Sequence, residues 1–410
     1  LRVAAEAGRQ RVEVFVPQTH APGGEAEVDF ADLWIVLAGV KTKVFLFTLR
    51  LSFSGKAVHR AYATASQEAF LDGHRDAFEQ LGGIPTRHIR YDNLKAAVSR
   101  VLTGRTRVES DRWVTFRSHY GFDAFYCRPG VEGAHEKGGV EGEGGRFRRT
   151  HMVPMPKVDT VAQLNTFLAA CDAKDDHRRV GQRVTTVGDD FAAEQPLLRP
   201  LPGEAFETGI VLRPRVDRHA RVTVRQCQYS VPARFVGRQV RVLLRATTVV
   251  VFDGPRLVAQ HERSTVRGSV TLVLDHYLEV LAHKPGALPS ATALVQARTN
   301  GTFTPTHDRY WAAVTAKHGD KTGTQALVEV LLLHRQYPHA QVLAGLEAAL
   351  SVGALAPEAV AMEVRRAGET DTLRPQLGVV APGGRIAYPT DTRPLPTVDI
   401  YDTLLTQGTR

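Results

Sequence analysis

"EVDFADLWIVLAGVKTKVFLFTLRLSFSGKAVHRAYAT", residues 27–64, is the stretch whose reading decides the fold. It holds three apolar runs, 27–39, 43–55 and 57–64, rich in Val, Leu, Phe and Ile, with Gly39 and Gly55 at the breaks. Runs of this length with β-branched and aromatic residues between glycine turns read as three strands. Connections this short join antiparallel neighbours. Asp29 lies in the first run between Val28 and Phe30. Adjacent strand residues point to opposite faces, so its carboxylate faces away from those two apolar side chains. A carboxylate in a core strand is costly unless it is paired or metal-bound.

Downstream, Ser66 opens "SQEAFLDGHRDAFEQLGG", in which Phe70, Phe78 and Leu81 fall at helical spacing and Gly82-Gly83 end the helix. "RHIRYDN" (87–93) reads as a short strand, and a helix is predicted over 94–102. "RWVTFRSHYG" (112–121) reads as a helix, "FDAFYCRPG" (122–130) as a strand, and "TVAQLNTFLAACDAKDD" (160–176) as a long helix. Three antiparallel strands leading into alternating helix and strand predict a mixed α/β sheet with helices on its faces.

"HEKGGVEGEGGRFRRTH" (135–151) lies before that last helix, with five glycines between Gly138 and Gly145. Glycine costs a helix about 1 kcal/mol per position against alanine, so the segment reads as a poor helix. Val140, Glu141, Phe147 and the run Arg146, Arg148, Arg149 nevertheless suit one. Glu136 and Glu143 lie roughly 140° and 160° from Glu141 around a helix, so one of the three is expected to face the sheet.

The chain has 410 residues, 43% hydrophobic and 23% charged, an ordinary globular composition with room for two or three domains. It lacks an apolar run of about 18 residues, so no membrane span is expected. Cys127, Cys171 and Cys227 form no disulfide framework and no CxxC zinc site. A reducing, cytoplasmic setting is the simplest reading. The chain begins at Leu1, and a preceding segment is expected. The net charge of +9 concentrates between Arg199 and Arg263, where twelve Arg face five acids. Such a segment matches a module that neutralises phosphates.

"GEAEVDFAD", "YDNLKAAV" and "HEKGGVEG" resemble the three signature blocks of DDE transposases of the IstA type. These are insertion-sequence enzymes related to retroviral integrases and phage Mu transposase. "CQYSVPARFVGRQVRVLLRATTVVVFDGPRLVAQHER" is similar to the small barrel that follows their catalytic core. The resemblance covers roughly residues 10–365 and implies an RNase H-like core at 25–196 after a lead-in at 1–24. An Arg-rich small β-barrel (197–264), a helical region (265–368) and an extended tail (369–410) complete the expected organisation. The resemblance implies a triad of Asp29, Asp92 and Glu141 holding two Mg2+ or Mn2+ ions for 3′-end cleavage and strand transfer. Expected DNA contacts are Asn93, Lys95, Lys137, Arg146, Arg148, Arg149, Arg234, Arg238 and Arg241.

Expected partners are the element ends, target DNA and a AAA+ ATPase, with the chain at least dimeric on nucleoid DNA in a bacterial cytoplasm. "RPLPTVDIYDTLL", near the C-terminus, is a candidate docking motif for that ATPase. The family's usual N-terminal helix-turn-helix domains are not visible. Two alternatives stay open: an RNase H-type nuclease, and a catalytically degenerate DNA-binding derivative. Asp92 also reads as a helix cap, Asp32 is the rival to Asp29, and His135 reads as a surface residue. Trp34, Trp113 and Trp311 read as packing residues.

Overall fold

In the computed structural model, β1 (Glu25–Leu37), β2 (Val40–Leu51) and β3 (Ala57–Tyr62) form the antiparallel meander expected of residues 27–64. The structure describes residues 19–91, 98–101, 107–127 and 138–372, with the backbone alone at 98–101, 107, 108, 138, 139, 141 and 369–372. After α1 (Gln67–Leu81), β4 (His88–Tyr91) joins β1 in parallel, with Tyr91 beside Val28. Residues 98–101, expected to be helical, instead form β5 (Val98–Val101) in a hairpin with β6 (Arg107–Glu109). Val98 and Val101 are β-branched and Gly104 lies between the strands, which suits a hairpin better than a helix.

Next come α2 (Asp111–Tyr120) and β7 (Asp123–Tyr126), the latter parallel to β4. The sheet order is therefore β3-β2-β1-β4-β7, the RNase H-like mixed sheet that the resemblance implied. α3 (Gly138–His151), β8 (Lys157–Val158), α4 (Val161–Asp175) and α5 (Val187–Glu194) complete this part.

Each face of the sheet has its own core. Ala26 and Val28 join Phe47, Phe70, Phe78, Trp113 and Phe116 on the side of α1 and α2. His74 sits fully buried among these rings, its Nδ1 donating to Phe70 O (2.8 Å) and its Nε2 accepting from the Tyr91 hydroxyl (2.9 Å). This bond ties α1 to the end of β4. Burial pushes the imidazole down to about 3, against the raising effect of the Phe70 carbonyl. Gly73, one residue before, lets α1 approach β2, because a Cβ there would lie 2.6 Å from the Phe47 ring.

On the opposite face Leu33, Ile35, Val44 and Leu46 pack against Phe147 of α3 and Leu164 and Leu168 of α4. Glu194, wholly buried at the end of α5, accepts from Gly23 N (2.9 Å) and Ser54 N (3.1 Å), tying together the loops around β1 and β2.

The Arg-rich segment is a strand-rich module. Its strands are β9 (Ile210–Leu212), β10 (Arg221–Val224), β11 (Cys227–Ser230), β12 (Arg241–Leu244), β13 (Thr248–Asp253), β14 (Arg256–Glu262) and β15 (Val270–Thr271). They form sheets ordered β14-β13-β12-β9 and β10-β11-β15 around one core that includes Val222, Tyr229, Val242 and Val251. α6 (Leu278–His283) and α7 (Thr292–Thr299) follow within the first compact unit, which ends at Phe303. The second unit, from Thr304, contains α8 (Pro305–His318), α9 (Asp320–Leu332), α10 (His339–Ser351) and α11 (Pro357–Thr372). Tyr310, Leu327, Val342, Leu346 and Val364 are buried within it. Among the described residues no helix is long and apolar enough to cross a membrane.

Candidate active site

Strand alternation places Asp29 on the α3 and α4 side of β1, with Leu33 and Ile35. Its cross-strand row runs through Thr48 to His59. His59 is locked from above: its Nδ1 lies 2.6 Å from Asp172 Oδ1, and its ring stacks on Phe147 at 3.7 Å. Asp29 is half-buried and has no hydrogen bond or ion pair among the described residues. A half-buried carboxylate in that state lacks the compensation that such groups ordinarily find. Asp32 points the other way, is exposed, and pairs with Lys43 at 2.6 Å.

α3 is helical through all five glycines, contrary to its propensity. Three contacts account for this. At its start, Val140 N donates to Glu27 Oε2 at 2.6 Å, placing a buried carboxylate where the helix has unsatisfied N–H groups. In its middle, the buried Glu143 pairs with Arg178 (2.7 Å) and with Arg146, which also holds Asp175. Towards its end, Phe147 enters the core beside Leu33 and Ile35. Asp175 completes the network with His151 at 2.9 Å. Burial tends to raise the Asp175 carboxyl, but Arg146 and His151 hold it below the usual carboxylate range.

Among the described side chains of α3, the buried positions are Val140, Glu143, Gly144 and Phe147, at helical i, i+3, i+4, i+7 spacing. Glu143, left aside in favour of Glu141, is therefore an acid that this helix turns inward, where two guanidinium groups neutralise it. Glu141 follows Val140 directly in the helix; its side chain lies outside the described residues. Sequence reasoning missed Glu27, although it lies two residues before Asp29 in a strand and so on the same face.

Asp92, Asn93, Lys95, Lys137 and His135 lie outside the described residues, as does the candidate docking motif. Arg148 and Arg149 are exposed on α3, whereas Arg146 is held in its ion pairs. In the β module, Arg234 pairs with Glu279 at 2.7 Å and Arg238 with Asp253 at 3.4 Å. Arg241 lies over the Phe252 ring at 4.3 Å. No group of three metal-ligating side chains gathers among the described residues, which exclude the side chains of two of the three triad candidates.

Residues 201–273 match the family of the Mu transposase C-terminal domain. A transposase of Aminobacter aminovorans is 30% identical over 348 residues, covering 83% of this chain and 65% of that protein. The transposase for insertion sequences IS1326/IS1353 of Pseudomonas aeruginosa is 31% identical over 345 residues, covering 83% and 66%. The chain thus spans just under two thirds of the length of these relatives. The HTLV-2 integrase catalytic core domain in complex with magnesium superposes with a TM-score of 0.30 at 16% identity, over 42% of this chain and 97% of that one.

Proposed function

The chain belongs to the insertion-sequence transposases, and from that premise we propose that it cleaves the 3′ ends of its element and joins them to target DNA through Asp29, Asp92 and Glu141. The observation that carries this reading is the strand register. β4 runs parallel to β1, and its last described residue, Tyr91, stands beside Val28. One peptide link leads from Val28 to Asp29 and one from Tyr91 to Asp92. α3 docks over the same strand, its Val140 amide held by Glu27, and Glu141 is the next residue.

A half-buried carboxylate with no partner among the described residues suits an oxygen-ligated cation. Asp29, Asp92 and Glu141 would hold Mg2+ or Mn2+, two ions per site, which would supply charge stabilisation for an in-line phosphoryl displacement. Glu27 and Glu143 set the height of α3 over the sheet. Arg148 and Arg149, exposed on that helix, orient phosphates without reading sequence.

In cleavage, water attacks the phosphorus and the bond to the element's 3′ oxygen breaks, freeing a 3′-hydroxyl. In joining, that hydroxyl attacks a target phosphodiester, so one P–O bond forms for each one broken and no covalent enzyme intermediate is needed. Two DNA ends must be handled together, so the working form is at least a dimer on DNA in the bacterial cytoplasm. A AAA+ ATPase would dock on residues 394–410; deleting them should weaken its binding, and unchanged binding rejects that part.

The test is a strand-transfer assay with a pre-cleaved end and Mg2+ or Mn2+. Asp29→Asn, Asp92→Ala and Glu141→Ala should lose joining while keeping DNA binding, and Asp32→Ala should join normally. Joined product in all of these variants refutes the triad. Hydrolysis without joining in the wild type would identify a nuclease, and binding alone a degenerate derivative.

A further inference from the structure

We propose that the cleft between the start of α1 and the β module is a binding site for the phosphate backbone of duplex DNA. The proposal rests on the reading above that the chain acts on DNA. The cleft has a volume of about 760 Å3 and is walled by Thr64 and Ser66, by Arg225 and Gln226, and by Arg263 and Arg267.

Its charge is positive and partly uncommitted. Glu68, the acid among the described lining residues, is almost fully buried and already faces Arg263 at 3.5 Å. Arg263 is itself held, donating to Arg245 O at 2.9 Å. Arg225 and Arg267 are exposed and have no ion-pair or hydrogen-bond partner among the described residues. The hydroxyls of Thr64 and Ser66 line the wall beside them. Among the described lining residues none is aromatic, which suits a backbone rather than a stacked base.

The turn that carries Arg225 argues that its side chain matters. Arg225 and Gln226 join β10 to β11, where Val224 pairs with Cys227, and both take left-handed φ values of 49° and 67°. Two-residue hairpins of this kind favour Asn-Gly. Keeping Arg-Gln there costs roughly 1 kcal/mol or more per residue. Local turn chemistry therefore does not explain the choice.

The position also fits. β3 and β4 both run parallel to β1. Thr64 and Ser66 follow β3, and Ser110, also in the lining, opens α2. The cleft thus lies beyond the ends of β3 and β4, at the N-termini of α1 and α2.

The test uses the full chain, a fluorescent 30-base-pair duplex and anisotropy titrations across salt concentrations. Arg225→Asn with Gln226→Gly should raise Tm, because the turn is relieved, yet weaken binding. Adding Arg267→Ala should weaken it further. Each lost phosphate contact lowers the slope of log K against log salt by about 0.9, and affinity by about eightfold at 0.1 M salt. Wild-type binding and joining with an unchanged salt slope in the triple variant would overturn the cleft and leave the transposase reading intact. A wild type that neither binds duplex nor joins strands would overturn both. ATP displacing the duplex through these same arginines would reassign the cleft to a free nucleotide.

Discussion

Glu27→Ala should loosen α3 without unfolding the sheet. The carboxylate is 4% exposed and accepts the Val140 amide at 2.6 Å. A hydrogen bond to a charged group contributes about 1.5–3 kcal/mol net. Taking about 2 kcal/mol, its loss raises the opening equilibrium of the helix roughly thirtyfold. The helix has little reserve, since its five glycines cost up to about 5 kcal/mol against alanine. Glu27→Gln keeps an acceptor and should lose only about 1 kcal/mol, or roughly fivefold. Compensation is available locally, because a Cβ added at Gly142 or Gly144 would meet nothing within 4 Å. Changing both to Ala should return nearly 2 kcal/mol and bring the Glu27→Ala protein close to wild-type protection. The assay is amide hydrogen exchange followed by mass spectrometry on peptides covering residues 138–151. Equal exchange in Glu27→Ala and wild type would refute the clamp. Failure of the alanines to slow exchange would refute the glycine argument.

His74 supplies a pH dependence. Its folded value of about 3 lies below the ordinary 6.5, so the unfolded chain binds the proton first. Its contribution is complete above pH 6.5 and falls by up to about 1.4 kcal/mol per pH unit as the pH drops towards 3. Urea midpoints at pH 7, 5.5 and 4 should therefore fall less steeply in His74→Gln; parallel curves would reject the assignment. Gly73→Ala forces a Cβ to 2.6 Å from the Phe47 ring and should destabilise the first unit by about 1–3 kcal/mol in urea unfolding. An unchanged midpoint would show that α1 can back away from β2.

The meander was legible because hydrophobic period and turn glycines are local signals. The same alternation identified the face of Asp29; its rival Asp32 lies exposed against Lys43. The failures also have physical causes. Residues 98–101 were read as a helix, although a short apolar run is ambiguous between helix and strand by period alone. The glycines of α3 foretold a weak helix, and propensity was overridden by partners more than 25 residues away, Glu27, Asp175 and Arg178 among them. Arg146 looked like its neighbours Arg148 and Arg149 in sequence, yet it alone is held in the network with Glu143 and Asp175.

By itself, then, the sequence determined the β1–β3 meander, the faces of β1 and the segment where positive charge gathers. Tertiary structure decided which charges are consumed inside the molecule: Glu27 on a helix amide, Glu143 between two arginines, Glu68 against Arg263. It also decided which stay available, Asp29 on the sheet and Arg225 and Arg267 in the cleft. Periodicity tells each residue its face. The partner that desolvates or neutralises a charge there arrives from a distant part of the chain, and only the packed fold brings it within a few ångströms.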